Sequence, residues 1–397
     1  MRRASLLVLF LTVFIDLIGF GMVIPFLSFY AREYGASGKA VGAVVGIYSI
    51  MQFLFAPIWG RVSDRVGRRP VLLISLTASF CGYLLFAFSR SLALLFASRV
   101  IAGIGGANIG TAQAYIADST SPENRAKGMG LIGAAFGLGF ILGPPLSGIL
   151  SAVGTRHGLH GNLLPGLVAA GLSFTAFLVA LAVLAESKPA SIVPRSGVPP
   201  QFDTKLWREV LTSPILGALL AGLFLTLLAV SGMEINVTLH GRDRFQFRQL
   251  DMAYFFLFMG VIVAGIQGGL IGRVVRRLGE RRVIIIGAVC FMFGFFLIPS
   301  IWRVPLLYGV AFLIAIGQGL CYPALTALVS KVSPESERGS ILGLATSAGS
   351  LARFLGPLVA GALYDWAGAR GGFYGGGVFM AIALVIAIRM RSPEAAR

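Results

Sequence analysis

The chain has 397 residues, of which 56% are hydrophobic and only 12% charged, and its mean hydropathy is +0.85. Soluble globular domains carry about 25% charged residues, so a soluble enzyme or binding module is excluded and a polytopic helical membrane protein is expected. Lys and Arg number 33 against 16 Asp and Glu, but they alternate between loops instead of forming one stripe, which argues against a nucleic-acid surface and for the positive-inside pattern.

Hydropathy places twelve spans, at 5–29, 41–59, 71–89, 91–117, 127–151, 164–185, 214–238, 251–271, 283–300, 304–329, 340–363 and 372–390. Each is long enough, or nearly so, to cross about 30 Å of hydrocarbon as a helix. They divide into an N-terminal six-helix bundle (1–187), a polar linker (188–213) rich in proline, and a C-terminal six-helix bundle (214–397). The first stretch follows Arg2 and Arg3 as a signal peptide would, but it is too long and lacks a small-residue cleavage pattern.

Span 1 carries Asp16, about 16 Å from its start and so near mid-membrane. A carboxyl there is costly unless it faces a cavity or a partner, which makes it a functional candidate; a buried acid satisfied by neighbouring helices is the other reading. Gly19, Gly21 and Pro25 follow, allowing close packing and a bend. Gln52 in span 2 either lines a cavity or bonds an adjacent helix. Between spans 2 and 3 the sequence Gly60-Arg-Val-Ser-Asp64-Arg65-Val-Gly67-Arg68-Arg69-Pro70 is too charged for hydrocarbon and is read as a tight loop at the membrane surface.

Span 4 carries Arg99, then a run of glycines with Asn108 and Gln113, and Asp118 closes it level with the arginine-rich loop. An arginine at that depth stays charged and needs a carboxylate, carbonyls or water, unless it snorkels to the surface. Span 5 has Gly133, Gly137, Gly139, Gly143, Pro144 and Gly148, a groove for close helix approach. In the second half Glu234 and Asn236 end span 7, Gln267 and Gln318 lie in spans 8 and 10, and Arg353 lies about 20 Å into span 11 beside Gly356 and Pro357. His157, His160 and His240 are expected in loops. There is no zinc spacing, no disulfide framework and no phosphate-binding loop, so no cofactor, metal or ATP-driven step is expected.

The chain repeats itself. Gly60 and Gly67 recur as Gly272 and Gly279, 212 positions on; Ser121-Pro122-Glu123 recurs as Ser333-Pro334-Glu335 at the same offset; Gly143-Pro144 recurs as Gly356-Pro357 one position further. Both copies carry the charged turn at the same place, so each half has an even number of crossings and the repeat is parallel.

These residues together carry a resemblance to the major facilitator superfamily over essentially the whole chain. Gly60 to Arg69 resembles that family's loop between helices 2 and 3, Arg99 with its glycines the helix-4 motif, and Gly133 to Gly148 the helix-5 motif of antiporters. Asp16 to Pro25 and Met51-Gln52 through Leu76 are similar to twelve-helix drug/proton antiporters, nearest the tetracycline/proton antiporters. The chain departs from those exporters at Gly82, where they carry an acid, and in spans 8 and 9, which lack their histidine and acid.

The resemblance implies a proton-coupled exporter of small amphipathic compounds that works by alternating access as a monomer in the cell (inner) membrane, with both termini cytoplasmic. Asp16 and Arg99 are then the proton-coupling residues, since burial favours a neutral carboxyl and a nearby arginine favours a charged one. Gln52, Asn108, Gln113, Gln267, Gln318 and Arg353 are expected to line the substrate cavity. Gly60, Asp64, Arg65, Gly67, Arg68 and Asp118 are expected to gate it, with Arg68 paired to Asp118, and Gly137, Gly143, Pro144, Gly356 and Pro357 to pack one bundle on the other. The alternative is a carrier for an anionic metabolite or lipid, using Arg99 and Arg353.

Overall fold

The computed structural model describes residues 2–120, 122–187, 202–334 and 337–390; the repeated Ser-Pro-Glu segments lie partly outside them. The described residues are almost entirely helical: α1 (Arg2–Glu33), α2 (Gly38–Val66), α3 (Arg68–Ala87), α4 (Leu92–Gly106), α5 (Ile109–Ser119), α6 (Pro122–Arg156), α7 (Leu163–Val183), α8 (Thr204–Thr212), α9 (Pro214–Phe245), α10 (Gln249–Gly265), α11 (Ile271–Leu278), α12 (Glu280–Leu297), α13 (Val304–Val332) and α14 (Arg338–Arg389). A π-helical turn, Ile266–Leu270, joins α10 to α11, so those two form one span; α4 and α5 likewise form the single span Leu92–Ser119.

Ten helices among the described residues are long and apolar enough to cross a membrane, and α1, bent by 43° between Ile24 and Phe26, makes eleven. That bend falls on Pro25, whose ring removes a backbone donor. One of the ten is α14, whose 52 residues would run about 78 Å if straight, far beyond a bilayer core. Its backbone leaves the helical region at Ala367 (φ −135°, ψ 20°) and Gly368 (φ 60°, ψ −149°), a kink that separates two helices. Counted as two crossings, α14 brings the total to twelve.

The chain forms two compact units. The first holds Met1–Ala36, Ile47–Gly197 and Phe247–Leu257; the second holds Ser37–Gly46, Val198–Gln246 and Phe258–Arg397. In the first, α1 packs on α6 and α7, and α3 on α4 and α7; in the second, α9 packs on α14, and α12 on α13 and α14. These are the same pairings shifted by six spans, as a parallel repeat requires.

The glycine-rich faces act within each unit. A Cβ on Gly143 would lie 2.5 Å from the carbonyl carbon of Gly21 in α1, and one on Gly356 would lie 2.4 Å from the carbonyl oxygen of Leu228 in α9. Gly143 and Gly356 thus do the same work in the two halves, letting backbones touch where even alanine would separate them. Pro144 is buried inside α6. Pro357 meets Gly42 within the second unit, where a Cβ on Gly42 would strike the proline carbonyl. Gly137, expected to pack one bundle on the other, faces open space; the close contact in α6 belongs to Gly139 and Gly143, one turn apart on the face that meets α1.

Three further expectations are corrected. The Gly60–Pro70 segment is not a loop: α2 runs to Val66, Gly67 alone turns the chain, and α3 starts at Arg68. The linker ends in the helix α8, capped by Asp203, whose carboxylate accepts the amides of Lys205 and Leu206 at 3.0 Å. Its Leu206, Trp207 and Val210 fall on one face and pack on the core of the second unit, which polarity alone did not reveal. Finally, α9 continues seven residues past the expected end at 238, through a charged last turn with Arg242 and Arg244. Hydropathy marks where apolar sequence stops, and a helix need not stop with it.

Candidate functional site

In the first unit, a polar cluster joins α1, α2, α3, α4 and α7. Asp16, half-buried on α1, accepts a hydrogen bond from the Ser173 hydroxyl of α7 at 3.2 Å. Tyr83 of α3 is buried and donates to the Asp16 backbone carbonyl at 3.5 Å. Arg99 of α4 is fully buried, at 0% exposure, and all three guanidinium nitrogens lack hydrogen-bond partners. What it has is the ring of Tyr48, with its guanidinium carbon 4.8 Å from the ring centroid, a cation–π contact that is stronger when desolvated.

Of the partners expected for Arg99, a carboxylate, carbonyls or water, no carboxylate or carbonyl is bonded to its guanidinium. Asp16 makes its bond to Ser173, and no salt bridge joins Asp16 to Arg99. Snorkelling is excluded by the same burial.

Gln52 bonds an adjacent helix: its Nε2 donates to the Gly106 carbonyl at 2.9 Å and to the Tyr48 hydroxyl at 3.2 Å. The Gly106 carbonyl is available because span 4 breaks there, between α4 and α5, with Asn108 at the start of α5. Glycine at 106 leaves room for the Tyr48 hydroxyl, which a Cβ there would displace. Gly82 is explained similarly: a Cβ there would lie 2.9 Å from the backbone nitrogen of Ala102, so α4 excludes the acid that the exporters carry. Asn108 is half-buried and Gln113 exposed.

In the second unit, Arg353 is half-buried, donates to the Ser350 hydroxyl at 3.0 Å, and lies within electrostatic reach of Glu234 on α9. Because α9 runs to Phe245, Glu234 lies about 16 Å in from that end by rise, not at a surface. Gln318 is half-buried and Gln267 exposed on the π-helical turn. His240, expected in a loop, is a buried residue of α9, edge-on to Phe245 and Phe373, and its Nε2 has no partner.

At the turn between α2 and α3, Arg68 gathers two carboxylates. Its Nη1 donates to Asp64 at 2.5 Å and to the Ser63 hydroxyl at 2.7 Å, and its Nε donates to Asp118 of α5 at 3.0 Å. The expected pairing of Arg68 with Asp118 is found, with Asp64 as a second partner. Arg65 points outward, exposed, and Gly60 has open space beside it.

The sequence singled out Asp16, Arg99 and Gln52, but not Tyr48, Tyr83 or Ser173, which surround them. Tyr48 precedes Gln52 by one helical turn, and that spacing was the available signal. Among the described residues no group of three or more His, Cys, Asp or Glu could hold a metal.

The Major Facilitator Superfamily profile matches residues 9–276 and 264–397. The chain is 33% identical to the tetracycline resistance protein, class C, of Escherichia coli over 91% of its own length and 89% of that protein. It is 30% identical to the major facilitator superfamily domain-containing protein 10 of Mus musculus, over 93% of this chain and 89% of that one. Among solved structures it is similar to the human organic anion transporter MFSD10 (TETRAN), at 27% identity, with a TM-score of 0.72 and coverage of 97% and 99% of the two chains. With its twelve crossings, its parallel repeat and these matches, the chain belongs to the Major Facilitator Superfamily: it is a multi-pass membrane transporter and not an enzyme.

Proposed function

We propose that the protein is a proton-coupled exporter of small amphipathic compounds, with Asp16 as the proton-binding residue and Arg99 as the buried cation of the same cluster. The observation that carries this is a carboxyl deep in α1 held by neutral hydroxyls, Ser173 and Ser79, with a buried, unbonded guanidinium in the same cluster. A carboxylate held only by neutral donors is free to gain and lose a proton, whereas one locked to an arginine is not. Relatives named as tetracycline resistance proteins support export as the direction. Each unit brings its own polar residues for substrate, Asn108 and Gln113 in the first and Gln267, Gln318 and Arg353 in the second, and Arg68 with Asp64 and Asp118 forms the gate in the first unit. In this reading the protein works as a monomer in the inner membrane, and the lysine and arginine distribution supports cytoplasmic termini.

Asp16→Asn is the test, in proteoliposomes with an imposed pH gradient. The variant keeps the shape and a hydrogen bond to Ser173 but cannot ionise, so gradient-driven accumulation of a cationic dye or a tetracycline is expected to disappear while exchange down the substrate's own gradient survives. Full accumulation by the variant refutes Asp16 as the coupling residue, and Glu234 is the next acid to replace.

A second reading is a carrier of organic anions, in which Arg99 and Arg353 hold the substrate's negative charge. The buried Arg99 without a carboxylate favours it, as does the relative named an organic anion transporter. Uptake of ethidium against carboxyfluorescein, each with Arg353→Ala alongside, separates the readings.

A further inference from the structure

Glu186 lies three residues beyond the end of α7, where the chain passes on to the linker. Its Oε1 accepts the backbone amide of Arg68 at 2.8 Å and its Oε2 that of Arg69 at 3.1 Å. These are the first two amides of α3, which have no partner within the helix, and the positive end of the helix dipole favours a carboxylate there. An N-cap side chain would normally serve the second of them, that of Arg69, but the N-cap is Gly67, which has no side chain to do so. A Cβ on Gly67 would fall 2.4 Å from Oε2, so the glycine also makes room for the carboxylate.

Neighbouring bonds fasten the same stretch. The Tyr115 hydroxyl donates to the Ala185 carbonyl at 2.8 Å, Arg69 Nη2 donates to the Leu181 carbonyl at 2.6 Å, and the Ser187 amide turns back to Glu186 Oε1 at 3.0 Å.

The repeat supplies a control. Gly279 turns the chain between α11 and α12 with nearly the same backbone as Gly67 (φ 75°, ψ 155° against φ 108°, ψ 163°), yet a Cβ on Gly279 would meet nothing within 4 Å. There the Glu280 carboxylate meets its own backbone amide, so the turn forms without a carboxylate brought in from another helix end, and Glu186 is present for something else. We infer that Glu186 is a positioning residue: its carboxylate ties the start of the linker to the residue that carries the Arg68–Asp118 pair, so that a displacement of the linker is passed to that pair. This rests on reading Arg68–Asp118 as a gate.

The test uses the full chain in nanodiscs or proteoliposomes, with Glu186→Gln and Glu186→Ala. Glutamine accepts one of the two amides and presents an NH2 to the other, so it keeps the fold and weakens the tie; alanine removes it. Hydrogen–deuterium exchange at the amides of Arg68 and Arg69 is expected to rise about fivefold or more in the alanine variant, and less in glutamine, while the 279–283 amides do not change. The maximal transport rate of whichever of ethidium or carboxyfluorescein the wild type carries is expected to fall in the same order with KM unchanged. Unchanged exchange overturns the tie, and raised exchange with a wild-type rate overturns its link to transport. Failure of the gate reading looks different: Asp118→Asn then transports at the wild-type rate while exchange at Arg68 and Arg69 still responds to Glu186→Gln.

Discussion

The turns at Gly67 and Gly279 occupy the same place in the repeat and share a backbone, but they are wired with opposite charge. Arg68 is matched 212 positions on by Glu280, Asp64 by Arg276, and Asp118, one position beyond that offset, by Lys331. The first turn joins Arg68 to Asp118 and the second joins Glu280 to Lys331, so the same bridge is built with its polarity reversed. Arg69 and Arg281 keep one role in both, donating to carbonyls at the end of each half's last helix, Leu181 in one and Ala387 and Ile388 in the other.

Burial separates the two bridges. In the first, the side chains of Arg68 and Asp118 are 7% and 14% exposed; in the second, Lys331 is 65% exposed. A desolvated pair is strongly sensitive to loss of one partner, while a solvated pair contributes little. The difference teaches that the backbone turn and the arginine clasp are the structural inheritance of the repeat, and that the buried three-residue charge cluster is particular to the first half.

The largest expected effect comes from breaking the buried bridge. Arg68→Ala leaves Asp64 and Asp118 facing each other without a counter-charge, at a cost of about 3 to 5 kcal/mol, seen as a lower melting temperature and yield in detergent. Rebuilding the second turn in the first, with Asp64→Arg, Arg68→Glu and Asp118→Lys together, is expected to recover much of that stability. A triple variant no more stable than Arg68→Ala breaks the equivalence of the two bridges.

Next come the turning glycines. Both have φ values that side chains rarely adopt, so alanine at Gly279 is expected to cost about 1 to 3 kcal/mol. Gly67→Ala costs more, because the new methyl must also displace Glu186. Chemical unfolding of the two variants side by side measures the difference, and equal losses would mean that Glu186 moves aside freely. The smallest effect is expected for Glu280→Gln, below about 1 kcal/mol and shrinking with added salt. A salt-insensitive loss as large as that of Arg68→Ala would contradict the contrast in burial.

The sequence by itself determined the crossings and the repeat, because both are written in the order of the residues. About twenty apolar residues must span the membrane in any fold, a charged run cannot enter it, and an offset of 212 can be read without coordinates. Depth along a helix also made Asp16 and Arg99 candidates. Only the tertiary structure decided what those residues touch. Arg99 meets Tyr48 from 51 positions away and no carboxylate; Asp16 finds Ser173 across 157 positions; Glu186 reaches the amides of Arg68 and Arg69 across 118 and 117. His240 and Glu234 were misplaced because a charged helical turn reads as a loop when hydropathy is the only guide. The physical reason is one of range: burial in lipid acts on each segment separately, while hydrogen-bond and charge partners are chosen by which helices meet and at what height.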